Sequence, residues 1–299
     1  MRSPQNTATP LARSGFVRGR LVGAAAIAFA VLVVIENLVV LAGSPTYASP
    51  IKEVLAFHAE HRGSVAIAVG LQALYVPLLL GFLTGLHGLV ERRGGAGADW
   101  SRLAVAAGAS FSAVFAFYAV LWDGVVLSAG DLAEPSPVFE LVWQMHAAAF
   151  ALALPALGTT FIGAALATHA VRLTPRWQLL LGVAGGGLLL AAGAANLAIA
   201  DGSALLFVGV PGYFAWMVWL LATGVRLVSG RDRDEGGAEV AHAGEDSVEG
   251  RLVASWAAQR GGAVALVVRG QAGIPVVPMG LFAAVDCGRG VTRRVPAAG

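Results

Sequence analysis

Residues 21–43 read LVGAAAIAFAVLVVIENLVVLAG, with one charged side chain, Glu36, among them. Arg2, Arg13, Arg18 and Arg20 precede the run. A helix that is apolar on every side needs apolar surroundings on every side. A bilayer core about 30 Å thick is crossed by about 20 such residues. Five more runs of this kind follow, at 64–90, 103–129, 139–169, 177–200 and 204–228. In hydrocarbon the backbone must satisfy its own hydrogen bonds, so each run reads as a helix. Barrel strands would be about 10 residues long with alternating polarity, and these runs do not alternate. The predicted fold is therefore all-α, a polytopic bundle of six transmembrane helices.

Composition points the same way. Of the 299 residues 57% are hydrophobic and only 13% are charged, about half the usual quarter, and mean hydropathy is +0.73. A water-soluble enzyme, a disordered chain, a disulfide scaffold and a collagen-like fibre are all excluded by these figures. Three segments are expected: a basic head at 1–20, the six-helix domain at 21–228 and a polar tail at 229–299. The tail opens as a Gly- and Asp-rich linker, and short strands are conceivable only at 263–268 and 274–278. It is expected to be largely flexible, being too short for a secure core. The lone Cys287 lies in it.

Arginine placement sets the expected topology. Arg92, Arg93 and Arg102 fall between the second and third runs, Arg172 and Arg176 between the fourth and fifth, and Arg226, Arg231 and Arg233 at the end of the sixth. The opposite loops hold Lys52 and Arg62 among several carboxylates. Positive residues stay on the cytoplasmic side, which predicts a multi-pass cell-membrane protein with both termini cytoplasmic. Nucleic acid is not an expected partner, because the arginines sit where topology would put them. A cleaved signal peptide ending near Thr46-Tyr47-Ala48 is the competing reading of the first run. The length of that run and Glu36 within it favour a retained span.

Smaller features concern packing. Ala104, Gly108, Ser112 and Ala116 recur every four residues, as do Gly182 and Gly186, a spacing that lets helices approach closely within the monomer. Pro77, Pro155 and Pro211 are expected to kink their spans. Ile51, Val54, Leu55 and His58 share one face of a short amphipathic helix expected on the outer surface. Trp100, Trp122, Trp143, Trp177, Trp216 and Trp219 read mostly as interfacial anchors near span ends.

Strongly polar groups inside a span are costly and mark candidate sites. At 1.5 Å per residue, Glu36, Gln72, Asp123, His146 and Asn196 fall roughly 6–12 Å from the outer ends of five different spans. Asn37 and Gln144 sit beside two of them, and the inner half holds almost no such group. If these residues face inward, Glu36, Asn37, Gln72, Asp123, His146 and Asn196 would line a polar cavity for a small molecule or ion. An alternative is a membrane-embedded enzyme or metal site on Glu36, Asp123 and His146. A second alternative is an accessory membrane subunit without a site, the polar groups merely satisfying one another near the interface. His58 and His61 share a face but lack further ligands, and His87 and His169 lie near inner span ends. The sequence names no metal and no cofactor: Walker A, GxSxG, HExxH, CxxC and Rossmann patterns are all missing.

Three stretches carry a resemblance. His58-Ala-Glu-His-Arg-Gly63 leading to Gln72, Leu173-Thr-Pro-Arg-Trp177 before a Gly-rich span, and Pro211-Gly-Tyr-Phe-Ala-Trp216 resemble a widespread bacterial family of six-span membrane proteins of unknown function. The resemblance covers about 15–228 and implies six spans. It carries no activity and no residue role.

Overall fold

The computed structural model describes residues 10–40 and 43–230. Among the described residues the regular elements are helices: α1 (Pro10–Val40), α2 (Ile51–Glu60), α3 (Arg62–Gln72), α4 (Tyr75–Arg92), α5 (Ala98–Ala129), α6 (Pro137–Ala170), α7 (Arg176–Ala194), α8 (Asn196–Ala200) and α9 (Leu206–Ser229). Six segments are long and apolar enough to cross a membrane: Val17–Val40, Arg62–Arg92, Ala98–Ala129, Pro137–Ala170, Arg176–Ala194 and Leu206–Ser229. The chain is an integral membrane protein with six candidate spans, as the apolar runs predict. The expected tail strands and Cys287 lie outside the described residues.

The spans form a ring in chain order. Each packs on the next, and α1 closes the ring against α9. Outward-facing positions such as Leu38, Val120, Leu180 and Phe214 are exposed, as a lipid-facing surface requires. Small residues set the seams, because in lipid close van der Waals approach replaces the hydrophobic drive. A Cβ at Gly23 would stand 2.6 Å from the Gly224 carbonyl oxygen, which fixes the closing seam between α1 and α9. A Cβ at Gly158 would meet the Gly186 carbonyl at the same distance, and one at Gly108 would strike Leu83. The Gly182 and Gly186 pair therefore packs within the monomer, against α6. On α5 the stripe holds for Ala104, Gly108 and Ser112, whereas Ala116 is exposed.

Prolines act unequally. Pro77 breaks the second span into α3 and α4, since it has no N–H for the Ala73 carbonyl four residues back. Pro155 stays inside α6 and Pro211 inside α9. Ser136 caps α6, its hydroxyl accepting from the Phe139 N–H at 3.2 Å, with Pro137 at the first helical position where its missing N–H is harmless.

The ring interior divides into two halves. Toward the end that carries Arg92, Arg102, Arg172 and Arg226, it is filled. Phe82, Phe161, Trp216, Trp219 and Leu220 are wholly buried there and at mid-span. The Trp216 and Trp219 rings stack at 5.7 Å and 9°, with Phe161 set edge-on to both. Trp216 and Trp219 are thus core residues and not interfacial anchors; Trp122 and Trp143 are also buried, and only Trp100 and Trp177 of the six are exposed. This half is also less bare of polar groups than the sequence suggested. Gln178 donates to Thr223 Oγ1 at 3.0 Å, the Thr168 and Thr174 hydroxyls lie 2.9 Å apart, and His87 meets the Ser101 hydroxyl at 2.7 Å. Short local pairs engage these groups, although Gln178 Oε1 is left without a donor. The arginine-poor half is built differently.

Candidate functional site

Glu36 sits near the end of α1, four residues before Val40 and so about 6 Å from the helix end. The Pro77 break leaves Gln72 as the last residue of α3 and Tyr75 as the first of α4. Both reach Glu36. Gln72 Nε2 donates to Oε1 at 2.5 Å, and the Tyr75 hydroxyl donates to Oε2. An ionised carboxylate can only accept, and against it the Gln72 amide turns its Nε2 inward. Residues three apart lie on neighbouring parts of one helical face, and across the break both still converge on one carboxyl group.

The carboxyl group faces a cavity of about 230 Å³ enclosed by α1, α3, α4, α5, α6 and α9. Its walls are aromatic and aliphatic: Phe29, Tyr75, Phe115, Tyr118, Phe150 and Tyr213 among them. Trp216 and Met217 form its floor against the filled half. Exposed Asn37 stands at its rim, donating to the Tyr213 hydroxyl at 3.2 Å and to the Val33 carbonyl at 2.8 Å, and so tying α1 to α9. Pro211 lies within the first two turns of α9, where its removal of one ladder bond loosens the backbone beside Val210 and Tyr213. Gln72 Oε1 is buried and has no hydrogen-bond donor. The Tyr118 hydroxyl lies close to the Gln72 amide without meeting Oε1 in hydrogen-bond geometry. A buried acceptor left open costs about 1–3 kcal/mol.

Beside this cavity lies an aromatic cluster. The His146 ring stacks between Tyr118, at 4.2 Å and 21°, and Trp143, at 5.2 Å and 22°. Its Nδ1 lies 3.3 Å from the Tyr118 carbonyl. Tyr47, from the loop before α2, packs against Trp143, His146 and Phe150. That loop is held by a tight contact: Gly202, at φ +85°, leaves room for Ala48, whose Cα would lie 2.8 Å from a Cβ there. The apolar face of α2 turns onto α5 and not onto lipid. Val54, Leu55 and His58 are buried, and Trp122 Nε1 donates to His58 Nε2 at 3.0 Å. His58 Nδ1 must then carry the proton and donate to the Val54 carbonyl at 2.7 Å. Burial, with His61 nearby, holds the His58 pKa below its ordinary value. His61 is exposed and stacks on Phe57 at 4.5 Å. Among the described residues there is no group of three His, Cys, Asp or Glu side chains that could hold a metal ion.

The six residues singled out by depth are therefore divided. Glu36, Asn37 and Gln72 share the cavity. His146 is buried in the adjoining cluster, which shares the Tyr118 and Phe150 rings with the cavity lining. Asp123 does not join them: it is exposed, while Trp122, Val125 and Val126 of the same helix turn inward. Asn196 borders a separate shallow depression between α5 and α6 and donates to Gly193 within its own chain segment. A shared site for Glu36, Asp123 and His146 is thus not what the fold builds. Depth along a helix and direction around it are independent, and counting residues from a span end yields only the first.

What depth counting overlooked is tyrosine. The chain has four, and Tyr75, Tyr118 and Tyr213 line the cavity while Tyr47 packs against the cluster beside it. The signal was available: three tyrosines within apolar spans, each with a hydroxyl that must find a partner. Comparison with protein-family models, curated proteins and solved structures finds no match to the chain.

Proposed function

We propose that the protein binds a small molecule in the Glu36 cavity, admitted from the arginine-poor side of the membrane. With the positive-inside distribution of arginine, that side is extracytoplasmic and both termini are cytoplasmic. The observation that carries the reading is the hydrogen-bonded Glu36–Gln72–Tyr75 group facing a cavity with aromatic walls, since concave apolar sites with few convergent polar groups are where ligands bind. Binding is favoured over passage through the ring, because Trp216, Trp219, Phe161 and Phe82 fill the path below. The kinship with six-span bacterial membrane proteins rests on the three stretches at 58–63, 173–177 and 211–216, and is proposed on them alone.

Thermal denaturation of the detergent-solubilised chain against a panel of small organic cations, anions and neutral compounds tests the reading. At least one class should raise the melting temperature of the wild type. Val210→Trp, which places an indole at the cavity wall, should abolish that rise while the protein still melts cooperatively. A panel without effect on either protein contradicts the proposal. For the topology, an impermeant thiol reagent on intact cells should label Ala133→Cys and spare Ala96→Cys; the reverse pattern contradicts it.

A further inference from the structure

We infer that the ligand of this cavity is a protonated primary amine with a compact apolar body; the inference rests on the binding reading above. Three observations converge on it. Glu36 is only 9% exposed, and its two bonds come from neutral donors, Gln72 and Tyr75. Among the described residues no Lys, Arg or His lines the cavity, so no basic side chain in its walls pairs with the carboxyl group. A buried charge is costly until it is paired. An anion is thereby disfavoured, and a cation supplies what the walls lack.

The second observation specifies the kind of cation. Gln72 Oε1 is buried, 2% exposed as a residue, and has no donor. Gln72 Nε2 is committed to Glu36, and against an ionised Glu36 a flipped amide would set oxygen against oxygen. An N–H of the ligand satisfies this acceptor. A quaternary ammonium has no N–H, and a metal ion would require several oxygen ligands where the walls are mainly carbon.

The third observation is the wall itself. Phe29, Tyr75, Phe115, Tyr118 and Tyr213 line the space, and aromatic faces attract cations and bury apolar bodies. A cavity of about 150 Å³ takes benzene; at about 230 Å³ this one takes a ring plus a short aminoalkyl arm. The ammonium head bonds to Glu36 and Gln72 Oε1, and the body lies over Trp216 and Met217.

Three probes of nearly one shape separate the alternatives: 2-phenylethylammonium, benzyltrimethylammonium and neutral 2-phenylethanol. Each is titrated onto the detergent-solubilised full chain at neutral pH, with tryptophan fluorescence and melting temperature as readouts. The primary ammonium should bind at least about tenfold more tightly than either of the others, the scale of one charge-assisted hydrogen bond. Glu36→Gln should remove that advantage over the alcohol. Gln72→Leu should narrow the gap between the primary and quaternary ammonium. The ligand series needs no variant, so a variant that misfolds leaves the test intact. Equal binding of alcohol and amine overturns the cationic class and leaves cavity binding standing. Equal or tighter binding of the quaternary ion overturns the primary amine. Binding of none of the three overturns the inference, and failure of the wider panel as well overturns the binding reading with it.

Discussion

The two halves of the ring are made from the same helices and differ in what fills them. In the arginine-rich half, Gly pairs bring the helices together and Phe82, Phe161, Trp216 and Trp219 occupy the centre. Polar groups there pair locally within packed surroundings, as Gln178 Nε2 does with Thr223, with Gln178 Oε1 left open. In the arginine-poor half, a proline break, a carboxylate and three tyrosines stand around empty volume. The filled half has the economy of a core. The other sets a buried carboxyl group and an open acceptor beside empty volume, a costly arrangement in a bilayer, and an arrangement that is costly to stability is where function is to be sought.

The sharpest way to break this contrast is by truncation. Phe161→Ala should destabilise the detergent-solubilised protein by about 4 kcal/mol, since it opens a void among fully packed rings. Leu154→Ala, at the cavity wall, should cost about 2 kcal/mol, the lower end for such changes, because part of its surroundings is already empty. Chemical denaturation of the two variants measures both; equal losses would mean the halves are packed alike.

Next in size is the carboxylate. Glu36→Ala leaves the Tyr75 hydroxyl and the Gln72 amide without their acceptor and should cost about 2 kcal/mol. Asp123→Ala and Asp131→Ala both alter exposed carboxylates and should each stay within about 0.5 kcal/mol. Melting curves of the three variants decide it, and a large loss for Asp123→Ala would return that residue to the site.

Smaller effects are expected at the rim. His58 accepts from Trp122 only when neutral, and its pKa is held below the ordinary value. The docking of α2 therefore contributes its full stability above about pH 6.5, the ordinary histidine pKa, and loses it as pH falls toward the lowered folded value. In His58→Gln this loss should disappear, and melting temperature against pH for the two proteins shows whether it does. Gly202→Ala should cost about 1 kcal/mol, from a left-handed backbone and the press of Ala48; a melting shift near zero would show that the Tyr47 loop is not anchored there.

These contrasts also mark what the amino-acid sequence made legible. Six spans followed from run length and composition, which depend on local hydropathy alone. The Gly stripe at 182 and 186 likewise announced a close seam. Glu36, Gln72 and Asn37 were recognisable as residues that do not belong in hydrocarbon. Asp123 met the same criterion and points outward, because α5 is apolar on nearly every face and so gives no azimuth. Trp216 and Trp219 lie mid-span in α9 (Leu206–Ser229) and belong to the core; interfacial anchoring applies to tryptophans at span ends. Tyr75 stands three residues after Gln72 and so on a neighbouring part of the same face, but that this face meets Glu36 of another span needs three dimensions.

One half of the ring holds accessible space and the other is filled, and thiol reactivity separates the two. In a Cys287→Ser background, Leu154→Cys and Leu220→Cys place one thiol in each half. A small cationic thiosulfonate reagent added to the folded protein should modify Cys at 154 at least about tenfold faster than at 220, where reaction must await opening of the packed core. Equal rates at the two positions, fast or slow, would contradict the account.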